Sequence, residues 1–436
     1  MSGASQGQVV SPIAERTRRR ITRRLMPFLF LLYIVAYLDR VNVGFAGLEM
    51  TRELGFSNEV FGLGSGIFFV GYVILEIPGT ILVELWSARK WIARILISWG
   101  LLASLTGLIH TAHQFYWIRF LLGMAEAGFF PGIIVYLTHW YRYEDRAKAV
   151  AMFMAAIPVA NIIGSPVSGL LLRIHWLGYS GWRWLLLLEG IPALICGAIT
   201  LFYLTDWPRD AQWLPQDERE WLTAELEREK ETKKKVRPMS VWQALRNRDV
   251  VLLTFVYFFV VTASYGVNFW LPKILQRLSG LSPFQTTLIT AIPYLCALPA
   301  MLAVGWHSDH TGERRWHTAL SIYAVAAGLL LSQFVGGSVP LAMAMFSVAV
   351  MGLYAYLPGF WALPTTFLTE AAAAACIGLI NSFGNLGGFV GPYAVGFLSN
   401  RTGTYAAGIY YLVGSAILSG SLVLVLRGTR KLTAEA

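Results

Sequence analysis

Asp39 and Arg40 stand side by side in "YLDRVNVGFAG", directly after the apolar run "LMPFLFLLYIVA". A charged side chain at the centre of a bilayer costs about 2.5 kcal/mol or more, and it persists there when it faces a cavity or a partner. Neighbours in a helix project about 100° apart, so these two face different partners. The fourth apolar run is expected to supply the one for Asp39. A second pair, Arg119 and Glu126, lies in "WIRFLLGMAEAGFFPG". Two helical turns separate them and bring them to nearly the same face, with Leu122 and Gly123 between. They form a charged stripe towards a bundle interior, although Arg119 also stands near "HTAHQFYW", where an arginine can snorkel outward. Arginine stays charged and grips a carboxylate through two parallel hydrogen bonds. A buried acid that gains or loses an arginine partner binds and releases a proton. Two arginines and two acids so placed suit an anion carrier coupled to protons.

Other polar and aromatic groups punctuate the apolar runs. Tyr72, Asn161, Tyr265, Asn268, Trp361, Asn381 and Asn385 can line a central cavity. Asn381 and Asn385 share a helix face. Their segment "NSFGNLGGFVGP" is glycine-rich, so hydrogen bonding between closely packed helices is an equal reading. Core packing is the competing reading for Tyr72 and Trp361. Glu76, in "GYVILEIPG", reads either as a structural group that caps or pairs with a basic loop residue, or as part of transport. Glu189 and Glu370 read as structural groups near helix ends. The three cysteines have neither metal-ligand spacing nor a pairing pattern. "GLGSG" lies inside an apolar run with no preceding strand, so it is a packing motif rather than a nucleotide loop. No Walker motif, histidine cluster or Ser–His–Asp set appears, which argues against an enzyme and a metal site.

The elements that must hold these groups are membrane helices. The 436 residues are 56% hydrophobic and only 14% charged, against about 25% charged in soluble domains. Apolar runs of spanning length fall near 25–46, 58–83, 92–111, 115–138, 147–172, 183–205, 250–274, 284–306, 317–336, 339–365, 373–399 and 405–427. This predicts an all-α protein with twelve spans in two sets of six. A basic tail (1–24) precedes the first bundle (25–205), a charged linker (206–249) joins it to the second (250–427), and a short tail follows (428–436). The net charge of +10 is concentrated in "ERTRRRITRRL" and in alternate short loops. That is the distribution of cytoplasmic flanks, not of a nucleic-acid arm. Both termini are expected in the cytoplasm, with the chain embedded in the inner (plasma) membrane. No small-residue cleavage site follows the first run, so it is not read as a signal peptide.

The two halves echo one another. "GTILVELWSARKW" follows the second run and "VGWHSDHTGERRW" the eighth. Each places an acid, Glu84 or Asp309, at a helix C-terminus, where the dipole disfavours it without a nearby cation or facing helix N-terminus. The pattern resembles the loop motif of the major facilitator superfamily, Gly-x-x-x-Asp-Arg-x-Gly-Arg-Arg. The second copy matches at Gly305, Asp309, Gly312 and Arg314. The first keeps Arg89 but has Glu84 for Asp, Leu85 for the base and Ser87 for a glycine. "YLDRVNVGFA", "GYVILEIPG", "WIRFLLGMAEAGFFPG", "SGWRW", "YGVNFWLPKI" and "LINSFGNLGGFVGP" resemble the anion:cation symporter family within that superfamily. "AAIPVANIIGSPVSG" is most similar to its tartrate and hydroxyphenylacetate branches.

The resemblance implies two pseudo-symmetric six-helix bundles rocking around a site near mid-membrane. It implies Arg40 and Arg119 near a substrate carboxylate, Asp39 and Glu126 as proton carriers, and the two loop motifs in gating. It further implies proton-driven uptake of a small organic anion. Tartrate or another hydroxy or sugar acid is the first expectation, an aromatic acid such as hydroxyphenylacetate the second. A non-transporting sensor on the same fold is the alternative of another class. No cofactor beyond protons, no nucleic acid and a monomer in the bilayer are expected.

Overall fold

The computed structural model describes residues 12–234, 246–364 and 370–426. The tail 428–436 with Arg430 and Lys431, the first eleven residues and most of the basic tract after the linker helix lie outside the described residues.

Proline at a first helical position suits its fixed φ and missing N–H, and α1 begins at one (Pro12–Glu53). Its 42 residues span about 63 Å at 1.5 Å per residue, twice the hydrocarbon thickness. The arginine-rich turns therefore project beyond the membrane as a continuation of the first span. Ser57 caps α2 (Asn58–Leu85) by accepting from the Val60 amide. Ser87 does the same for α3 (Ala88–Thr106), and a Thr111–Gln114 capping box starts α4 (Ala112–Glu126). The remaining helices are α5 (Phe129–Thr138), α6 (Tyr143–Met154), α7 (Ala156–Leu171), α8 (Gly181–Tyr203), the linker helix α9 (Gln216–Lys234), α10 (Arg248–Ser279), α11 (Pro283–Thr311), α12 (Arg315–Leu331), α13 (Val339–Ala362), α14 (Glu370–Gly384), α15 (Gly387–Thr402) and α16 (Ala406–Val425).

Three pairs are single spans with a break. α4 and α5 separate at Gly128, whose φ of 82° suits a residue without Cβ. α6 and α7 separate at Ala155, and α14 and α15 at Asn385 and Leu386. Ten helical stretches among the described residues are long and apolar enough to cross a membrane. The other two crossings are α3, whose first turn carries Arg89 and Lys90, and the interrupted α14–α15. The protein is all-α, with the twelve spans of the expected fold.

Within the N-half, α3 packs on α8, α2 on α4, and α1 on α7 and α8. Within the C-half, α13 packs on α11 and α12, and α10 on α15 and α16. The halves meet where α2 lies on α15, α7 on α11 and α1 on α10. In span order these pairs are second–eleventh, fifth–eighth and first–seventh. Exchanging the halves maps the first pair onto the second and the third onto itself, which is the pseudo-two-fold of repeated six-helix units.

The side opposite the chain termini, called the far side below, is sealed by close helix contact. A Cβ added to Gly62 would lie 2.5 Å from the Pro392 carbonyl oxygen. Phe61 meets Trp270 edge-on at 5.2 Å, and Lys273 Nζ donates to Thr51 Oγ1 at 3.1 Å. On the terminal side α9 is clamped to the N-half. Arg20 Nε binds Glu218 at 3.0 Å, and Arg146 Nη2 binds Glu229 at 2.9 Å.

Candidate functional site

Between the halves lies a narrow cavity offering about 70 Å³ to the centres of water molecules, room for a handful of them. α1 contributes Tyr33, Tyr37 and Arg40, and α2 contributes Tyr72. The C-half contributes Tyr257 and Tyr265 from α10, Tyr354 and Trp361 from α13, and Asn381 and Asn385 from the α14–α15 junction.

Arg40 is 8% exposed and is the one arginine in the cavity wall. One guanidinium nitrogen forms an ion pair with Glu126. The other donates to the Tyr265 hydroxyl at 3.2 Å, across to the C-half. Its charge also lies 5.3 Å from the Tyr72 ring centroid and 5.6 Å from that of Phe68. Glu126 is the last residue of α4. A helix C-terminus disfavours an acid, and the Arg40 guanidinium offsets this.

Arg119 faces the bundle interior, not the lipid: it is 1% exposed. It is not among the residues lining the cavity and lies over the Phe68 ring at 4.9 Å from the centroid. Its Nη2 reaches the Ser65 carbonyl at 3.5 Å, and its Nε has no partner among the described residues. Both arginines thus share the Phe68 ring, and only Arg40 reaches the cavity.

Several expectations change. The partner of Asp39 does not come from the fourth span. The Trp99 indole of α3 donates to one carboxylate oxygen, and Asn42 Nδ2 donates to the other at 3.3 Å. What the fourth span supplies is Glu126, and it supplies it to Arg40. Asn161 does not face the cavity. Its Nδ2 donates to the Ile157 carbonyl at 3.2 Å and to the Tyr354 hydroxyl at 3.0 Å, tying α7 to α13. Asn268 is likewise withdrawn, accepting from the Tyr294 hydroxyl at 2.7 Å inside the C-half. Glu76 is neither a cap nor the partner of a basic loop residue. It is 3% exposed and accepts from Asn381 across the two halves. Glu189 is not near a helix end; it is buried well inside α8.

The loop motifs differ in how their acids are compensated. Glu84 binds His139 Nε2 at 3.0 Å rather than Arg89. The Arg89 amide donates instead to Asp206 at 2.7 Å. Asp309 pairs with Arg314 within its own turn. Gly312 ends α11 at φ 67°, a conformation other residues rarely adopt. Gly305 packs on Pro358 of α13, which a Cβ would meet at 3.2 Å.

The tyrosine-lined wall was not anticipated beyond Tyr72 and Tyr265. Its signal was present in the sequence: Tyr33 and Tyr37 are four apart in the run that holds Arg40, and "LYAYLPGFW" concentrates Tyr354, Tyr356 and Trp361.

Comparison with known proteins accords with this architecture. The sequence model of the Major Facilitator Superfamily matches residues 29–392. The "Putative tartrate transporter" of Agrobacterium vitis is 44% identical over 420 residues, covering 96% of each chain. The "Quinolone resistance transporter" of Acinetobacter baumannii is 38% identical over 93% of each chain. Among solved structures, a bacterial homologue of the human lysosomal transporter Spinster, inward-facing and occupied, superposes with a TM-score of 0.73 at 17% identity. That match covers 95% of this chain and 97% of the other. The chain belongs to the Major Facilitator Superfamily and is a multi-pass membrane transporter rather than an enzyme.

Proposed function

We propose that this transporter couples proton movement to uptake of a small organic anion, with tartrate or a related hydroxy or sugar acid as the first candidate. The observation that carries the reading is the Arg40–Glu126 ion pair at the cavity wall. Glu126 occupies the guanidinium edge that a substrate carboxylate needs. A proton on Glu126 removes that internal competitor, and Arg40 then turns to the anion. Substrate and proton therefore bind together, which is the requirement of symport. Tyr265 sits on the same guanidinium from the C-half, so the state of Arg40 is transmitted to the opposite bundle.

Arg119 holds the local potential positive from its place over the Phe68 ring, and Asp39 is the second proton carrier. Tartrate is supported by the name of the Agrobacterium relative. An aromatic acid is the second reading, favoured by Trp361 and the tyrosines of the wall. The two bundles at 25–205 and 250–427 are the rocking units. The arginine-rich terminal side is the cytoplasmic face of the plasma membrane, and the carrier works as a monomer.

The test is uptake of labelled tartrate into proteoliposomes with an imposed proton gradient. Saturable uptake that a protonophore abolishes is expected, with none in Arg40→Ala. Normal uptake by Arg40→Ala rules out the assigned site.

A further inference from the structure

Glu189 is a buried acid that the mechanism above does not use. It lies eight residues in from the far end of α8, roughly 12 Å along the axis, whereas Glu126 lies roughly 21 Å in along α4. It is 6% exposed. Its backbone is held by the tight α3–α8 crossing, where a Cβ on Gly190 would lie 2.6 Å from the Gly100 carbonyl oxygen.

Three helices converge on its side chain. Ser168 of α7 donates to Oε1 at 2.7 Å. Oε2 is buried and has no hydrogen-bond partner among the described residues. Asn42 of α1 donates to Asp39 at 3.3 Å and lies near enough to act on Glu189 as well. Asp39 and Glu189 are close enough to interact electrostatically. Among the described residues neither has a cation at ion-pair distance. From α3 the cluster receives only the neutral Trp99, and from α7 only Ser168. Arg119 and Glu126 of α4 act on Asp39 at longer range.

Two carboxylates in one dry site cannot both stay ionised without a cation. Apart from Arg183 at the far end of α8, which is paired with Glu53, the described interior of the N-half holds four buried acids, Asp39, Glu76, Glu126 and Glu189, against two buried arginines, Arg40 and Arg119. Protons are the smallest groups that restore the balance.

We propose that Asp39 and Glu189, with Asn42 between them, form a second proton-binding site beside the Arg40–Glu126 pair, with Glu189 on its far-surface side. In the resting state the charge is on Asp39, which has two N–H donors and remains able to take up a proton during the cycle. The proton rests on Glu189, on the oxygen that lacks a partner. Ser168 ties the site to the far-side seal, because the next residue, Gly169, packs directly on Thr287 of the C-half. The site extends the proton-coupled reading, and its test observes the carboxyl itself instead of transport, so either can fail alone.

The experiment is infrared difference spectroscopy on the purified full chain in lipid nanodiscs, in H2O and D2O. At neutral pH the wild type is expected to show a protonated-carboxyl band that Glu189→Gln removes. In Asp39→Asn the same band is expected to titrate away about one pH unit lower, as for coupled carboxyls, because the neighbouring charge is gone. Identical carboxyl bands in the wild type and Glu189→Gln overturn the proposal. So does an unshifted titration in Asp39→Asn. Should Glu189→Gln not fold, Ser168→Ala carries the test: loss of its hydroxyl must move the band to higher wavenumber, and an unmoved band overturns the assignment.

Discussion

The two halves repeat one architecture and differ in chemistry. Among the described residues, the N-half holds the buried acids and arginines of the membrane interior: Asp39, Arg40, Glu76, Arg119, Glu126 and Glu189. The C-half answers with neutral groups, chiefly Tyr257, Tyr265, Tyr354, Trp361, Asn381 and Asn385. The central contacts across the interface therefore pair a charge with a neutral partner, as in Arg40 with Tyr265 and Glu76 with Asn381. A hydrogen bond to a charged group contributes about 1.5–3 kcal/mol, while removing one partner of a buried ion pair costs about 3–5 kcal/mol. Keeping the central ion pair inside one half lets the bundles separate there without breaking it. The backbone repeats one architecture, and the chemical asymmetry confines the central ion pair to one half.

That contrast can be broken most severely at Arg40. Arg40→Ala is expected to abolish uptake, a loss beyond 100-fold. It also leaves Glu126 buried and unpaired, destabilising the N-half by about 3–5 kcal/mol. Adding Glu126→Gln to it should recover the thermal stability and leave uptake at zero; recovered uptake would contradict the role of Arg40. Glu126→Gln alone is expected to retain substrate exchange while losing proton-driven accumulation, read by counterflow against net uptake in the same vesicles. If both survive, Glu126 carries no proton in the cycle.

Smaller effects probe the neutral half. Tyr265→Phe removes a hydrogen bond to a charged group, and the apparent affinity for substrate should fall about 10-fold, near the lower end of the ~1.5–3 kcal/mol such bonds contribute. An unchanged KM would detach the C-half from Arg40. Asn381→Ala leaves Glu76 without its cross-half donor and should lower thermal stability by about 1–3 kcal/mol. Asn268→Ala should have the smallest effect on transport. It frees the Tyr294 hydroxyl inside the C-half, away from the cavity, and uptake should stay within about twofold while stability drops by about 1 kcal/mol. A large transport defect there would return Asn268 to the substrate site.

The loops of the two halves show how far a repeated motif can be read. Both acids needed compensation, and the dipole argument applies to both. In the second copy the partner is local, Arg314, and is visible in the sequence. In the first it is His139, 55 residues away, which no local pattern announces. Arg89, the base nearest in the motif, has its amide capped by Asp206 instead.

Composition and periodic apolar length by themselves determined the all-α class, the twelve spans and the presence of charged groups inside them, because hydrocarbon penalises each exception strongly enough to show in the residue count. Helix geometry also determined that Asp39 and Arg40 diverge. The tertiary structure decided which groups each one meets. It gave Asp39 to Trp99 and Asn42, Arg40 to Glu126 and Tyr265, and Glu76 to Asn381, and it withdrew Asn161, Asn268 and Arg119 from the cavity wall. A span apolar on every side carries little information about which face meets lipid and which meets protein. Its rotation is set by packing against helices far away in sequence, and only the folded chain supplies those contacts.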